Sequence, residues 1–399
     1  MTAPSADAPI VSDREALDLV CQLMAIPGRG GEEAPVMEFL GDRLAEAGLS
    51  RGSLKFDQAH RRSELGGGQG NAILKLPGHG PKKGQRRFFM AHTDTVPICV
   101  GSRPVRKRGV VVSGDPKTGL GADDRSGTAV LLTTAMGLLR SDIPHPPLTF
   151  LWTVQEEGGI NGARHVAVGQ LGKPKLAFNF DGGSPRKLTL GATGGYRMHI
   201  DVTGVPSHAG IAPEKGVSAI AIAADAIADL DQNGWHGLVE KRGKRGTSNI
   251  GVIEGGVATN VVAEHARLYV EARSHEQKFR ERIVREIRNA FERAVKRHKS
   301  SEGKRGSVSF NGRLNYESFR LPMDDPSVVA ATEALRSLDA EPEYAIANGG
   351  LDANWLTAHG VPTVSIGTGQ RNIHSVDEQL DIEEFHFARR LAWRLATGA

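Results

Sequence analysis

The sequence predicts an α/β fold: a first domain with a mixed, largely parallel sheet flanked by helices, and an inserted α+β domain. Two observations carry this. Short apolar runs of strand length recur at residues 72–74, 88–91, 148–154, 176–180 and 361–366, with helical patterns such as 128–139 between them. That alternation builds parallel sheets. Between about residues 193 and 318 the texture changes to strand, helix, strand, strand, helix, strand. The expected domains are 1–192 (first domain, first part), 193–318 (inserted) and 319–399 (first domain, second part).

The first helix is expected from Ser12 to Ile26, where Pro27 ends it. Residues 28–31 read as a turn. A second helix over 32–47 places Val36, Phe39, Leu40 and Leu44 on one face, with Gly48 as its cap. In the inserted segment, residues 198–202, 249–254 and 266–272 read as strands and 217–230 as an alanine-rich helix. A long amphipathic helix follows, with Ile283, Ile287, Phe291 and Val295 on one face. Residues 300–306 form a polar, basic loop.

Hydrophobic residues make up 39% of the chain and charged residues 24%, enough apolar material for a sizeable core. Two cysteines in 399 residues are no disulfide framework. Cys21, on the stripe Leu17, Val20, Cys21, Met24, reads as a buried thiol, and Cys99 as a packing residue rather than a nucleophile. Met1 to Ile10 lacks the basic-then-apolar pattern of a signal peptide, and no apolar run reaches 18 residues. The expected location is cytoplasmic, without membrane contact. A net charge of +4 does not by itself imply nucleic acid.

The chemistry gathers in a few motifs. His92-Thr93-Asp94 follows an apolar run, and Gly121-Ala122-Asp123-Asp124 comes 31 positions on, counted from His92 to Asp123. Gln155-Glu156-Glu157-Gly158, Asn179-Phe180-Asp181-Gly182 and Asn372-Ile373-His374-Ser375 continue the theme. Neutral imidazole and carboxylate oxygens suit divalent ions such as Zn²⁺. The set is large enough for two ions sharing a carboxylate, a device that activates water against amides. His92, Glu157 and Asp181 each come just after an expected strand, where ligands collect in open α/β sheets.

This set resembles the dizinc exopeptidases that include peptidase T, carboxypeptidase G and succinyl-diaminopimelate desuccinylase, with the peptidase T-like branch nearest. The resemblance implies two Zn ions per subunit, with Co or Mn as substitutes. It implies His92, Asp123, Glu157, Asp181 and His374 as ligands, with Asp123 bridging and its bond to Asp124 cis. Glu156 is then the general base, and Asp94 orients His92 through the other ring nitrogen. Glu156 and Glu157, read as neighbours on an extended segment, point to opposite sides. Aspartate at position 181 goes with aminopeptidase members of the family.

In Gly204-Val205-Pro206-Ser207-His208-Ala209-Gly210, His208 resembles the lid residue that steadies the developing oxyanion. Asn260 and Arg273 match lid residues that hold substrate. Leu351, before Asp352, departs from the family's small polar residue and bears on the substrate pocket.

The expected function is a metallopeptidase of tripeptidase type, an aminopeptidase acting on short peptides as a homodimer formed through the inserted domain. A carboxypeptidase or N-acyl-amino-acid amidohydrolase on the same scaffold is the alternative. The rival from another class is a nucleic-acid-binding protein, since residues 278–305 hold eleven Lys or Arg against four Glu. Those charges surround a helix whose other face is apolar, which favours a solvated face over a nucleic-acid groove. A scaffold that had lost activity would show gaps among ligands or base, and none is missing.

Overall fold

The protein is described here by a computed structural model covering residues 8–80 and 84–398. Part of the N-terminal segment read above, residues 1–7, lies outside the described residues. The chain divides into two compact units: residues 1–191 with 320–399, and residues 192–319.

In the first unit the strands run in the order Leu54–Phe56, Ala72–Leu76, Leu148–Thr153, Arg87–His92, Leu176–Phe180, Val364–Ile366 and Lys187–Ala192. Glu343–Ala347 also pairs with Lys187–Ala192. The four strands from Leu148–Thr153 to Val364–Ile366 are parallel, and the outer pairings are antiparallel. The central strands are apolar along nearly their whole length because both faces are covered. Phe89 lies at their centre, its ring 5.4 Å from Phe150 and 6.0 Å from Phe180.

Helix Ala122–Leu139 is buried from Ala122 to Leu138. It approaches the sheet so closely that a Cβ on Gly127 would stand 1.9 Å from the Phe180 carbonyl oxygen. Only glycine permits this approach, and it brings the helix start to the carboxyl ends of the parallel strands. A smaller sheet joins Gln370–Arg371, Gln379–Asp381, Val110–Ser113 and Pro104–Lys107 in that order. It anchors both sides of the loop that carries His374.

The first two helices run Asp13–Ala25 and Ala34–Glu46, close to expectation. Gly48, at φ +104°, ends the second. Cys21 departs from its reading. The buried face of the first helix is Ala16, Leu19, Val20, Leu23 and Met24. Cys21 lies on its flank, half-buried beside Arg106.

In the second unit five antiparallel strands run in the order Gly237–Lys241, Lys244–Gly255, His265–Ser274, Gly194–Thr203 and Ser307–Tyr316. Helices Ala219–Gln232 and Gln277–Arg297 cover the sheet. Ile222, Ala226, Ile283, Ile287 and Phe291 share one core with Met198, Ile200, Leu268 and Val270. The basic charges of the long helix are largely engaged. Arg280 grips Glu317 at 2.6 and 3.0 Å, Arg293 and Arg297 bind Asp229 and Asp225, and Arg282 lies over the Trp235 ring.

Candidate metal centre

His92 is the last residue of its strand and is 2% exposed. Its Nδ1 lies 3.1 Å from the Asp94 carbonyl oxygen and 3.5 Å from Asp94 Oδ1. The ring thus turns Nε2 towards Asp123 Oδ1, at 3.1 Å. The other Asp123 oxygen, Oδ2, lies 3.2 Å from His374 Nε2. One carboxylate therefore faces two imidazoles, one oxygen to each. His374 Nε2 is also 2.8 Å from Glu157 Oε1.

The ligand atoms form two overlapping groups, His92–Asp123–Asp181 and Asp123–Glu157–His374, each within 4.8 Å. All five expected ligand residues are brought together, and Asp123 is common to both groups.

The backbone explains the placement. The Asp123–Asp124 peptide bond is cis. Asp124 Oδ2 accepts the His92 N–H at 3.1 Å, and Oδ1 accepts from Gly127 N and Gln370 Nε2 at 3.0 and 2.8 Å. It fastens the strand end to the helix start. Asp181 follows its strand directly, and its N–H donates to the Ile366 carbonyl. Asn372 and His374 both take positive φ, at +51° and +61°, in the loop held by the small sheet.

Glu156 and Glu157 lie in a turn rather than on an extended strand. The strand ends at Thr153, Gln155 has φ +57°, and Gly159 N and Ile160 N donate to the Glu156 carbonyl. Asp94 holds this turn: Oδ1 accepts Glu156 N–H at 2.9 Å and Oδ2 accepts Glu157 N–H at 3.1 Å. Glu33, fully buried, accepts the preceding amide, Gln155 N, at 3.0 Å and Gly31 N at 2.8 Å. Three successive amides are thus fixed by two carboxylates.

The reading from sequence did not single out Glu33 or Glu378. Glu378 is 1% exposed and accepts the N–H groups of Leu120, Gly121 and Asp123 at 2.9, 2.7 and 3.0 Å. Its position four residues after His374 was the available signal.

The electrostatics are those of crowded carboxylates. Burial and the Asp123 charge push Asp181 up to about 7. Burial also raises Glu157, and burial with the nearby Asp352, Glu157 and Asp181 charges raises Glu156 well above the usual range. Burial opposes charge on Asp123, yet hydrogen bonds from His374 and His92 hold its carboxyl below the ordinary value. Burial would depress His92, but Asp123 and Asp94 hold it high. Hydrogen bonds to Asp123 and Glu157 raise His374 to about 10. Two imidazoles and a surplus of carboxylates facing one point are a donor set that fits a pair of Zn²⁺-like cations.

The residues read as lid positions belong to the second unit. His208 is exposed, and its neighbour Ala209 donates to the Asn260 carbonyl at 2.9 Å, so those two segments adjoin. Arg273 is half-buried and forms a two-point ion pair with Glu271, at 2.6 and 2.9 Å. Asp352, under the departure at Leu351, is buried with Oδ2 bonded to Thr153 Oγ1. Cys99 is buried, its S–H donating to Glu378 Oε2 at 3.4 Å.

A model of the peptidase dimerisation domain matches residues 190–299, and one of peptidase family M28 matches residues 71–200. The chain is 30% identical to an uncharacterised protein, YqjE, of Bacillus subtilis (strain 168), over 94% of this chain and 95% of that one. The crystal structure of aminopeptidase PepT from Bacillus cereus ATCC 10987 is similar with a TM-score of 0.83 at 30% identity, covering 97% of this chain and 99% of that one. A tripeptidase from Staphylococcus aureus subsp. aureus Mu50 is similar with a TM-score of 0.85 at 27% identity, covering 97% and 98%. Among the described residues no helix is long and apolar enough to cross a membrane. The chain belongs to the M20/M28 peptidase family and is a metal-dependent peptide hydrolase related to peptidase T and the tripeptidases.

Proposed function

We propose that the protein is a dizinc aminopeptidase of tripeptidase type, acting on short peptides. The observation that carries this reading is the pair of donor groups sharing Asp123, in a chain similar over 97% of its length to an aminopeptidase and a tripeptidase. His92, Asp123 and Asp181 would hold one zinc ion, and Asp123, Glu157 and His374 the other. Cobalt or manganese suits the same donors. When bound, the ions supply Lewis-acid polarisation of the scissile carbonyl and lower the pKa of water towards ~7.

The chain's own residues do the rest. Glu156 belongs to neither donor group, so its carboxylate is free to take a proton from the attacking water. The water oxygen bonds to the carbonyl carbon as the C=O π electrons move onto the carbonyl oxygen; when that C=O re-forms, the C–N bond breaks and Glu156 returns the proton to the leaving amine. Asp94 holds Glu156 and Glu157 in register through their amides and steadies His92. His208 is assigned to the developing oxyanion, and Asn260 and Arg273 to the substrate. The dimerisation-domain match supports a homodimer formed through residues 193–318.

Digestion of free tripeptides beside the same peptides blocked at the amino end tests the substrate class. The reading expects cleavage of the free peptides with release of the first residue. Cleavage confined to blocked peptides would replace it with an amidohydrolase or carboxypeptidase.

A further inference from the structure

We propose that Glu378 is a positioning residue that couples the two metal-ligand loops, setting the bridging carboxylate Asp123 from the loop that carries His374. The inference rests on the dizinc reading above. Glu378 lies four residues after His374, just before the strand Gln379–Asp381. Its buried carboxylate receives four donors: Leu120 N, Gly121 N and Cys99 Sγ on Oε2, and Asp123 N on Oε1. Leu120, Gly121 and Asp123 lie on the buried segment that leads into the helix ending at Leu139, whose φ and ψ become helical only after Asp124, so these amides have a carboxylate as their acceptor in place of a helical carbonyl.

The two loops meet closely. A Cβ on Gly119 would stand 2.9 Å from Cys99 Sγ, 3.0 Å from the Ser375 carbonyl oxygen and 3.2 Å from Glu378 Oε2. With donors on both oxygens, glutamine is a poor substitute: its amide NH₂ must face an N–H. Because Asp123 serves both donor groups, a displaced Asp123 backbone weakens both ion sites together. Loss of His374 weakens one.

Zinc is titrated calorimetrically into chelator-stripped wild type, Glu378→Gln, Gly119→Ala and His374→Ala, and kcat and KM are measured at limiting and saturating zinc. The inference expects both zinc affinities of Glu378→Gln to fall together by about 10–100-fold. Saturating zinc should restore most of kcat, with KM little changed. His374→Ala should lose affinity at a single site. Gly119→Ala should follow Glu378→Gln more weakly, and it decides the matter if Glu378→Gln does not fold. Wild-type affinity at both sites in the folded variants, with only a lower Tm, would reduce Glu378 to a structural role. A wild type that binds no zinc would overturn the dizinc reading itself, and the inference with it.

Discussion

Asp94 and Glu156 are joined through the main chain: Asp94 Oδ1 accepts the Glu156 N–H at 2.9 Å while its Oδ2 accepts the Glu157 N–H at 3.1 Å. One carboxylate thus aligns the proposed base and a proposed ligand, and its backbone carbonyl meets His92 Nδ1. Asp94→Asn keeps one acceptor oxygen and turns an NH₂ towards an amide donor. Loosening a carboxylate that orients metal ligands costs about 10–100-fold in activity. Steady-state kinetics should show that loss mainly in kcat, with KM within a few-fold. Unchanged kcat would remove Asp94 from the account.

Glu156→Gln keeps the shape of the side chain and removes its basicity. General-base catalysis is typically worth ~10²–10⁴-fold, so turnover should drop by that order while two zinc ions are retained. Metal content measured alongside kcat separates the base from a ligand. A variant hydrolysing peptides at the wild-type rate would show that another group accepts the proton.

Stability without metal should depend on pH in a set direction. Asp181, Glu33 and Asp352 are raised by burial to about 7, 7 and 6. Unfolded, such groups titrate near ~4. Between those values the folded state holds more protons, so stability falls as pH rises. His374, raised to about 10, adds stability below its unfolded value of ~6.5 and loses it as pH climbs towards 10. Urea midpoints of chelator-treated protein should therefore fall from pH 5.5 to 9. With zinc, whose ligands must be deprotonated, the trend should reverse over the lower half of that range. A metal-free midpoint that climbs with pH would contradict the placement of these carboxyls.

Gly127→Ala places a methyl group against the Phe180 carbonyl oxygen and 2.5 Å from Asp124 Oδ1. The helix must shift from the strand ends. Overpacking and backbone shifts of this kind cost about 1–3 kcal/mol or more. Thermal melts should show this loss, and zinc affinity should fall because Asp123 moves with the helix. A variant with native Tm and zinc affinity would refute the close approach.

Cys99 should be unreactive in the native protein. Burial, reinforced by the Glu378 carboxylate, pushes its thiol far above the ordinary range. A thiol-specific chromogenic reagent should label Cys99 only on unfolding, while half-buried Cys21 reacts first. Fast labelling of Cys99 in the folded protein would count against its environment here.

The central sheet was legible because its strands are buried on both faces, so each reads as an unbroken apolar run such as Leu148–Thr153. The five ligand residues were legible because they sit in short motifs at strand ends. Elements too short for periodicity were not. The four-stranded sheet uses strands of two to four residues. Strand Gly237–Lys241 pairs with its neighbour through a two-residue hairpin turn at Arg242 and Gly243, φ +53° and +75°, whose sequence carries only one glycine as a signal. Glu33 and Glu378 act through backbone amides. Their partners leave no side-chain pattern in the sequence, so the fold reveals them, with the nearness of Glu378 to His374 the one sequence signal. The Glu156–Glu157 turn escaped for a related reason: Gln155 adopts positive φ without being glycine.

Metal content of purified protein, set beside that of Asp123→Ala, tests the central claim most directly. The account predicts two zinc ions per wild-type chain, and in the variant a loss of affinity at both sites at once. Two tightly held ions that survive the substitution, or a wild type that holds none in zinc buffer, would contradict it.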